Sequence, residues 1–124
     1  MLRDIETRDD IVELLTEFYK IIIDDDEIGH HFDDLDLEHH LPIITAFWEK
    51  VLFDRPVYFG NPLLVHQKLN EKSRLQPAHF GRWVRVFRET VEKLFEGETA
   101  EIAKQKAELI GHSLSQRLNG DVAV

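Results

Sequence analysis

Apolar residues recur every three or four positions along nearly the whole chain, which is the spacing of one face of a helix. The first such stripe follows Thr7 and Asp10, a pair that predicts an N-terminal cap, and it stops before the acidic run 24–27. Its members are Ile11, Leu14, Leu15, Phe18, Tyr19 and Ile22. No useful length of sequence alternates between apolar and polar residues as a half-buried strand would. The pattern therefore predicts an all-α chain.

The middle of the chain predicts one long helix and one short one. A second stripe comprises His40, Ile44, Phe47 and Val51, with Pro42 near the start of the helix or at a kink. Residues 54–62 contain two prolines and a glycine and predict a break. Residues 63–69, which include His66, predict a helix of two turns at most, and residues 70–76 predict a loose segment.

Two longer helices are predicted to close the chain. Pro77 suits a first helical position, Gly97 suits the C-terminal cap of that helix, and Thr99 suits the N-cap of the next. The predicted apolar faces are Phe80, Trp83, Val84, Phe87, Val91 and Leu94 in the first helix, and Ile102, Leu109, Ile110, Ser113, Leu114 and Leu118 in the second. We expect a single domain spanning residues 1–124.

Composition narrows the class of protein. A length of 124 residues supports one core, and a net charge of −9 makes nucleic acid and anionic lipid unlikely partners. The absence of cysteine excludes disulfides and thiolate metal sites. No apolar run approaches the roughly 20 residues of a membrane span, and Met1-Leu2-Arg3-Asp4 is unlike a signal peptide. We therefore expect a cytoplasmic protein without a membrane partner.

Two histidines, His40 and His66, stand among apolar and aromatic residues. Imidazole is close to neutral at physiological pH and is a good iron ligand, so the pair suggests a buried, flat metallocofactor. Periodicity alone leaves a plain aromatic core open as well, in which Trp83 and Phe87 pack on Phe18. The pair His30-His31 lies among acidic residues and could hold a divalent cation, but its spacing matches no calcium loop. A solvated loop is the better interpretation there.

Five pieces of the sequence match, in order, the motifs of one family. They are Phe18-Tyr19; Gly29-His30-His31-Phe32; His40-Leu41-Pro42 with Phe47-Trp48; Tyr58, Gly60, Pro62 and His66; and His79-Phe80 with Arg82-Trp83 and Phe87. On these motifs the chain resembles a group III truncated haemoglobin, a short bacterial globin. The resemblance covers almost the whole chain and implies a truncated globin fold, a two-over-two helical sandwich around haem.

The resemblance also assigns residues to a haem site. It implies that His66 is the iron ligand of haem b and that Tyr19, His40 and Trp83 form a polar distal pocket. The remaining residues assigned to haem contact are Phe32, Ile43, Ile44, Phe47, Trp48, Leu63 and Phe80. For His40 three roles stay open, namely sixth ligand, hydrogen-bond donor and gate. We favour the gate, because Tyr19 and Trp83 already supply donors and Pro42 limits how far the turn can adjust.

The implied function is the binding of O2, NO, CO or another small diatomic ligand. Two hydrogen-bond donors would slow the release of O2, which favours O2 or NO chemistry over bulk transport. NO dioxygenation or a peroxidase-like reaction would need electrons from a separate reductase, and a peroxidase or oxidase role is the nearest alternative. A haem-free helical interaction module is the alternative from a different class.

Overall fold

The computed structural model describes residues 1–120, which contain helices and turns and no strand. The helices are α1 (Arg8–Ile22), α2 (Leu37–Phe53), α3 (Pro62–Lys72), α4 (Pro77–Leu94) and α5 (Glu98–Ser115). A 3-10 turn at Gly29–Phe32, here called the corner, joins α1 to α2, and a π turn follows α5 at Gln116–Gly120. The all-α prediction is confirmed.

Four of the helices form two stacked pairs. α1 packs on α2, α4 packs on α5, and α1 also contacts α4, so the predicted two-over-two sandwich is confirmed. Aromatic side chains fill the space between the pairs, where Trp48 stacks on Phe87 with ring centroids 4.8 Å apart. α3 does not pack closely against any other helix and buries none of its residues. No described helix is long and apolar enough to cross a membrane.

The starts of the first two helices follow their capping residues. Thr7 and Asp10 form the predicted capping box of α1. The side chain of Asp36 accepts a hydrogen bond from the His39 N–H and starts α2 at Leu37, a turn earlier than the apolar stripe suggests. Pro42 therefore lies inside α2 and not in its first turn.

The short helix that carries His66 is longer than the sequence predicted. α3 has 11 residues, about three turns, and it continues through residues 70–72, which were predicted to be loose. The prediction was wrong because Asn61 and Pro62 were interpreted as part of a break. They are a start signal, since the Asn61 side chain accepts a hydrogen bond from the Leu64 N–H and Pro62 takes the first helical position.

The junction between α4 and α5 also differs from the prediction. Pro77 begins α4 as expected, but α4 ends at Leu94, and Gly97 is the N-cap of α5, a place predicted for Thr99. The side chain of Asp4 caps α5, because its two oxygens accept hydrogen bonds from the N–H groups of Thr99 (2.9 Å) and Ala100 (2.8 Å). Gly97 has a φ of 145°, and a Cβ there would lie 2.4 Å from Cγ of Asp4.

The buried face of α5 consists of small residues. Ile102 and Leu109, which the sequence placed on this face, are 36% and 63% exposed, and Ser113 is exposed as well. The buried residues are Ala100, Ala103, Lys104, Ala107, Gly111 and Leu114. The prediction failed because it followed the bulky apolar residues, whereas close packing on α4 selects small side chains.

Candidate functional site

The ring of His66 is held in one orientation by its own helix. Its Nδ1 lies 2.7 Å from the carbonyl oxygen of Pro62, one turn earlier in α3, and donates a hydrogen bond to it. In a neutral ring this bond leaves the lone pair on Nε2. Burial lowers the pKa of His66, against the opposing effect of the Pro62 carbonyl, so the neutral form is favoured. The arrangement suits a metal ligand whose other ring nitrogen is fixed by a backbone acceptor.

Apolar residues lie beside His66. The ring of Phe80, from α4, is 6.5 Å from the His66 ring between centroids. Phe80, Leu75 and Leu114 form a small apolar cluster, against which Leu63 packs. The structure therefore brings Leu63, His66 and Phe80, all predicted site residues, to the same place.

A tyrosine–histidine pair joins α1 to α2. The Tyr19 hydroxyl lies 2.9 Å from Nε2 of His40, and burial raises the pKa of this tyrosine. Burial also lowers the pKa of His40, and the charges of His39 and His66 lower it further. The hydrogen bond between Tyr19 and His40 places two of the predicted distal residues side by side.

Two other predicted distal residues, Phe32 and Trp83, pack against aromatic rings of α1. The Phe32 ring lies edge-on to Tyr19 at 6.1 Å, and Trp83 lies edge-on to Phe18 at 5.8 Å and stacks on Phe87 at 5.6 Å. Trp83 is half-buried. The Tyr19 hydroxyl and the Trp83 indole are the two groups that the sequence predicted as hydrogen-bond donors.

The predicted contacts on α2 fall into three groups. Ile44 and Phe47 are half-buried, and Phe47 packs edge-on against Tyr58, with ring centroids 5.2 Å apart. Ile43 is 46% exposed. Trp48 is only 2% exposed and stacks on Phe87, so it supports the wall behind the site and presents no open face to it.

The histidine pair 30–31 and the acidic residues around it were interpreted from the sequence as a solvated loop, and this is wrong for Asp25 and His31. The side chain of Asp25 accepts hydrogen bonds from Arg82, and His31 bonds to Ser73 and His79. His30 itself is exposed, as predicted. Among the described residues no group of three acidic or histidine side chains is arranged to hold a metal ion. The contacts of His31 and His79 join distant segments, and no local sequence pattern reveals them.

One cavity shares the residue Phe80 with the surroundings of His66. It has a volume of about 340 Å³, lies between α4 and α5, and is lined by Phe80, Val84, Gly111 and His112 among others. Tyr19, His40 and His66 do not line it. This cavity therefore does not mark the place where the predicted ligand and donor residues lie.

Comparison with known proteins identifies the fold. Neither a family model nor a curated protein sequence matches the chain. The crystal structure of a group III truncated hemoglobin from Campylobacter jejuni matches with a TM-score of 0.83 and 23% sequence identity, over 95% of this chain and 95% of that one. A match of this extent at this identity is a match of architecture, and it agrees with the helical sandwich described above. The chain therefore has the fold of a truncated haemoglobin.

Proposed function

We propose that the chain is a group III truncated haemoglobin that holds haem b through His66 and binds O2 or another diatomic ligand. The observation that carries the proposal is the His66 ring, which is mostly buried, favours its neutral form, and donates from Nδ1 to the Pro62 carbonyl. Its Nε2 is thereby left as an electron-pair donor, which is what coordination of iron requires.

The helix that bears His66 fits a cofactor-bound segment. α3 buries none of its residues, although it includes Leu63, Leu64 and Val65. A helix of 11 residues is marginal in water without packing. A cofactor attached to His66 would supply that packing. Because the cofactor would bind the folded state and not the unfolded state, its binding would stabilise the fold by mass action.

The opposite side of the site fits a small polar ligand. Haem supplies, when bound, the iron that takes O2, NO or CO. The Tyr19 O–H and the Trp83 N–H are donors for a ligand that carries partial negative charge. A hydrogen bond to a charged group is worth about 1.5–3 kcal/mol, or roughly 10- to 150-fold in ligand retention. Strong retention favours O2 or NO chemistry with a separate reductase over transport.

The remaining predicted contacts are assigned by their exposure. We propose that half-buried and exposed apolar side chains, together with the buried Phe80 beside His66, line the cofactor, and that Trp48 acts from behind them. The proposed lining residues are Phe32, Ile43, Ile44, Phe47, Leu63, Phe80 and Trp83.

His40 is the residue whose role the geometry refines. As a gate it would have to break its 2.9 Å hydrogen bond to Tyr19 before swinging outward, so opening would change the Tyr19 donor at the same time. The bond also favours a second candidate function, a peroxidase-like reaction. A neutral imidazole with a lowered pKa inside the pocket can accept a proton from a bound peroxide.

An absorption spectrum of the protein purified with haem available tests the proposal. We expect the Soret band of a histidine-ligated haem in the unmodified chain. His66→Gly should lose haem or need added imidazole to retain it, while His39→Gly, which changes an exposed histidine on α2, should leave the spectrum unchanged. A normal pentacoordinate ferrous spectrum in His66→Gly without imidazole would show that another residue binds the iron. Failure of the unmodified chain to take up haem would favour the interaction module.

A further inference from the structure

Two histidines and a serine link three separate segments at the edge of the site. Nε2 of His31, in the corner, lies 3.1 Å from Nδ1 of His79 in the first turn of α4. Nδ1 of His31 lies 2.7 Å from the Ser73 hydroxyl, which follows α3. The N–H of Gln76 donates to the same Nδ1 of His79, at 3.1 Å. None of these contacts involves His66, Tyr19 or His40.

The protons in this network can be assigned from the backbone. The Gln76 N–H can only donate, so Nδ1 of His79 must carry a lone pair and the proton of the neutral ring must sit on Nε2. Because Nδ1 of His79 accepts, Nε2 of His31 must be the donor to it. If His31 is neutral, its Nδ1 then accepts a hydrogen bond from the Ser73 hydroxyl. One arrangement of neutral rings therefore satisfies every contact.

We propose that His31, Ser73 and His79 form a proton-sensitive clamp that positions the corner against the ligand site. A second proton on His79 would occupy Nδ1, the atom that accepts from both His31 and Gln76, and both bonds would be lost. The corner would then lose the contact that His31 makes with α4. The clamp itself needs no cofactor, whereas its effect on ligand binding rests on the proposed function.

The corner transmits the clamp to the site through Phe32. This residue follows His31 directly, and its ring lies edge-on to Tyr19 at 6.1 Å. Tyr19 in turn bonds to His40 at 2.9 Å. Release of His31 would remove the restraint on Phe32, and with it one side of the packing that holds the Tyr19 hydroxyl in place. His31 and His79 are positioning residues in this scheme and do not touch the ligand.

No carboxylate of the described residues hydrogen-bonds to the two imidazole rings of the clamp, so a positive charge on either ring would have no direct partner. The exposed His30 ring lies 4.0 Å from that of His31, and a cation on either ring would repel the other. Burial, followed by the charges of His30 and His79, lowers the pKa of His31 to about 4. Within residues 1–120 no carboxylate accepts a hydrogen bond from His31 or His79. The nearby charged side chains are Asp33, Arg74, Asp34 with Lys72 (3.4 Å), and Arg82 with Asp25 (2.7 Å) and Glu27 (3.9 Å).

Amide hydrogen exchange of the corner, in the full chain, tests the clamp. The informative amides are those of His31, Asp33 and Leu35, which hydrogen-bond within this turn. After correction for the intrinsic rate, we expect acidification from about pH 7.5 to about pH 5 to speed their exchange. Loss of the one hydrogen bond that joins the corner to α4 through His79 predicts a change of about fivefold.

Two variants of His79 distinguish the effect of protonating this residue from the effect of removing its hydrogen-bond acceptor. His79→Asn places an amide oxygen where Nδ1 stands, so it keeps the acceptor and cannot be protonated; the corner should stay protected at both pH values. His79→Ala removes the acceptor and should leave the corner exchanging fast at both. His30→Asn is the matched control, because His30 makes none of these bonds, and it should retain the pH effect. Equal protection at both pH values in the unmodified chain, or the same behaviour in His79→Asn and His79→Ala, would overturn the clamp.

A second measurement connects the clamp to the site. In haem-loaded protein, acidification should raise the O2 dissociation rate of the unmodified chain and have a smaller effect in His79→Asn. If exchange reveals the clamp but the chain takes up no haem, the proposed function fails and the clamp stands. If haem binds but amide exchange of the corner depends neither on pH nor on the substitution of His79, the clamp fails and the proposed function stands.

Discussion

Removal of one hydroxyl, in Tyr19→Phe, should speed the release of O2. Tyr19 is 5% exposed, and its ring packs against Phe18 and Phe32, so phenylalanine fits the same space. The lost donor is worth about 1.5–3 kcal/mol toward a charged ligand, which is roughly 10- to 150-fold in rate. Because the hydroxyl also bonds to His40 at 2.9 Å, donation to a ligand competes with that bond. We therefore expect the O2 dissociation rate to increase by about tenfold, the lower end of this range.

Stopped-flow displacement of O2 by CO from the ferrous protein measures this rate. Tyr58→Phe is the matched control, since it removes the same hydroxyl from a ring that packs on Phe47 and has no hydrogen bond within residues 1–120. It should change the rate by less than about twofold, within the usual range of a surface substitution. An unchanged rate in Tyr19→Phe, or equal changes in both variants, would refute the reasoning and reduce Tyr19 to a packing residue.

Three further predictions concern the second donor and the closing helix. Trp83→Phe should also speed O2 release, and a non-additive rate in the double variant with Tyr19→Phe would reveal one shared network. Asp4→Ala should lower the free energy of unfolding by about 1–2 kcal/mol in a urea titration. Burial tends to raise the pKa of Asp4, but its backbone donors outweigh this and lower it, so its contribution should be present above pH 3.8 and vanish as the pH falls through the lowered value. Ala103→Leu should cost about 1–3 kcal/mol in thermal unfolding, whereas Leu109→Ala should be almost neutral.

The fold was predictable from the sequence where the signals for a helix lie close together along the chain. The apolar stripe of α1 and its capping box are local features, and both are confirmed. The face of α5 was only partly predictable by the same rule: Leu114 is buried as expected, but most buried positions are alanine or glycine, and Ile102 and Leu109 are exposed. The start of α5 depends on Asp4, which lies more than ninety positions away, and no local pattern contains that information.

Recognition of short motifs selected the candidate site residues but could not give their contacts. The structure shows that two of the selected residues, Tyr19 and His40, lie within hydrogen-bonding distance of each other. Exposure could not be deduced in the same way, and Trp48, which was placed among the lining residues, is only 2% exposed. The partners of His31 come from two other segments, and only the folded chain shows them.

The cap on α5 has a consequence for the order in which the chain can be completed during translation. Asp4 leaves the ribosome early, but the N–H groups it binds belong to Thr99 and Ala100. At about 5–20 residues per second, these partners are made about 5–20 s later. During that interval the carboxylate of Asp4 is solvated, and the backbone of Arg3 lacks Glu96 as its donor. The segment around Asp4 is thus made well before the partners that secure it, which leaves it open to chaperones or proteases while the nascent chain is still growing.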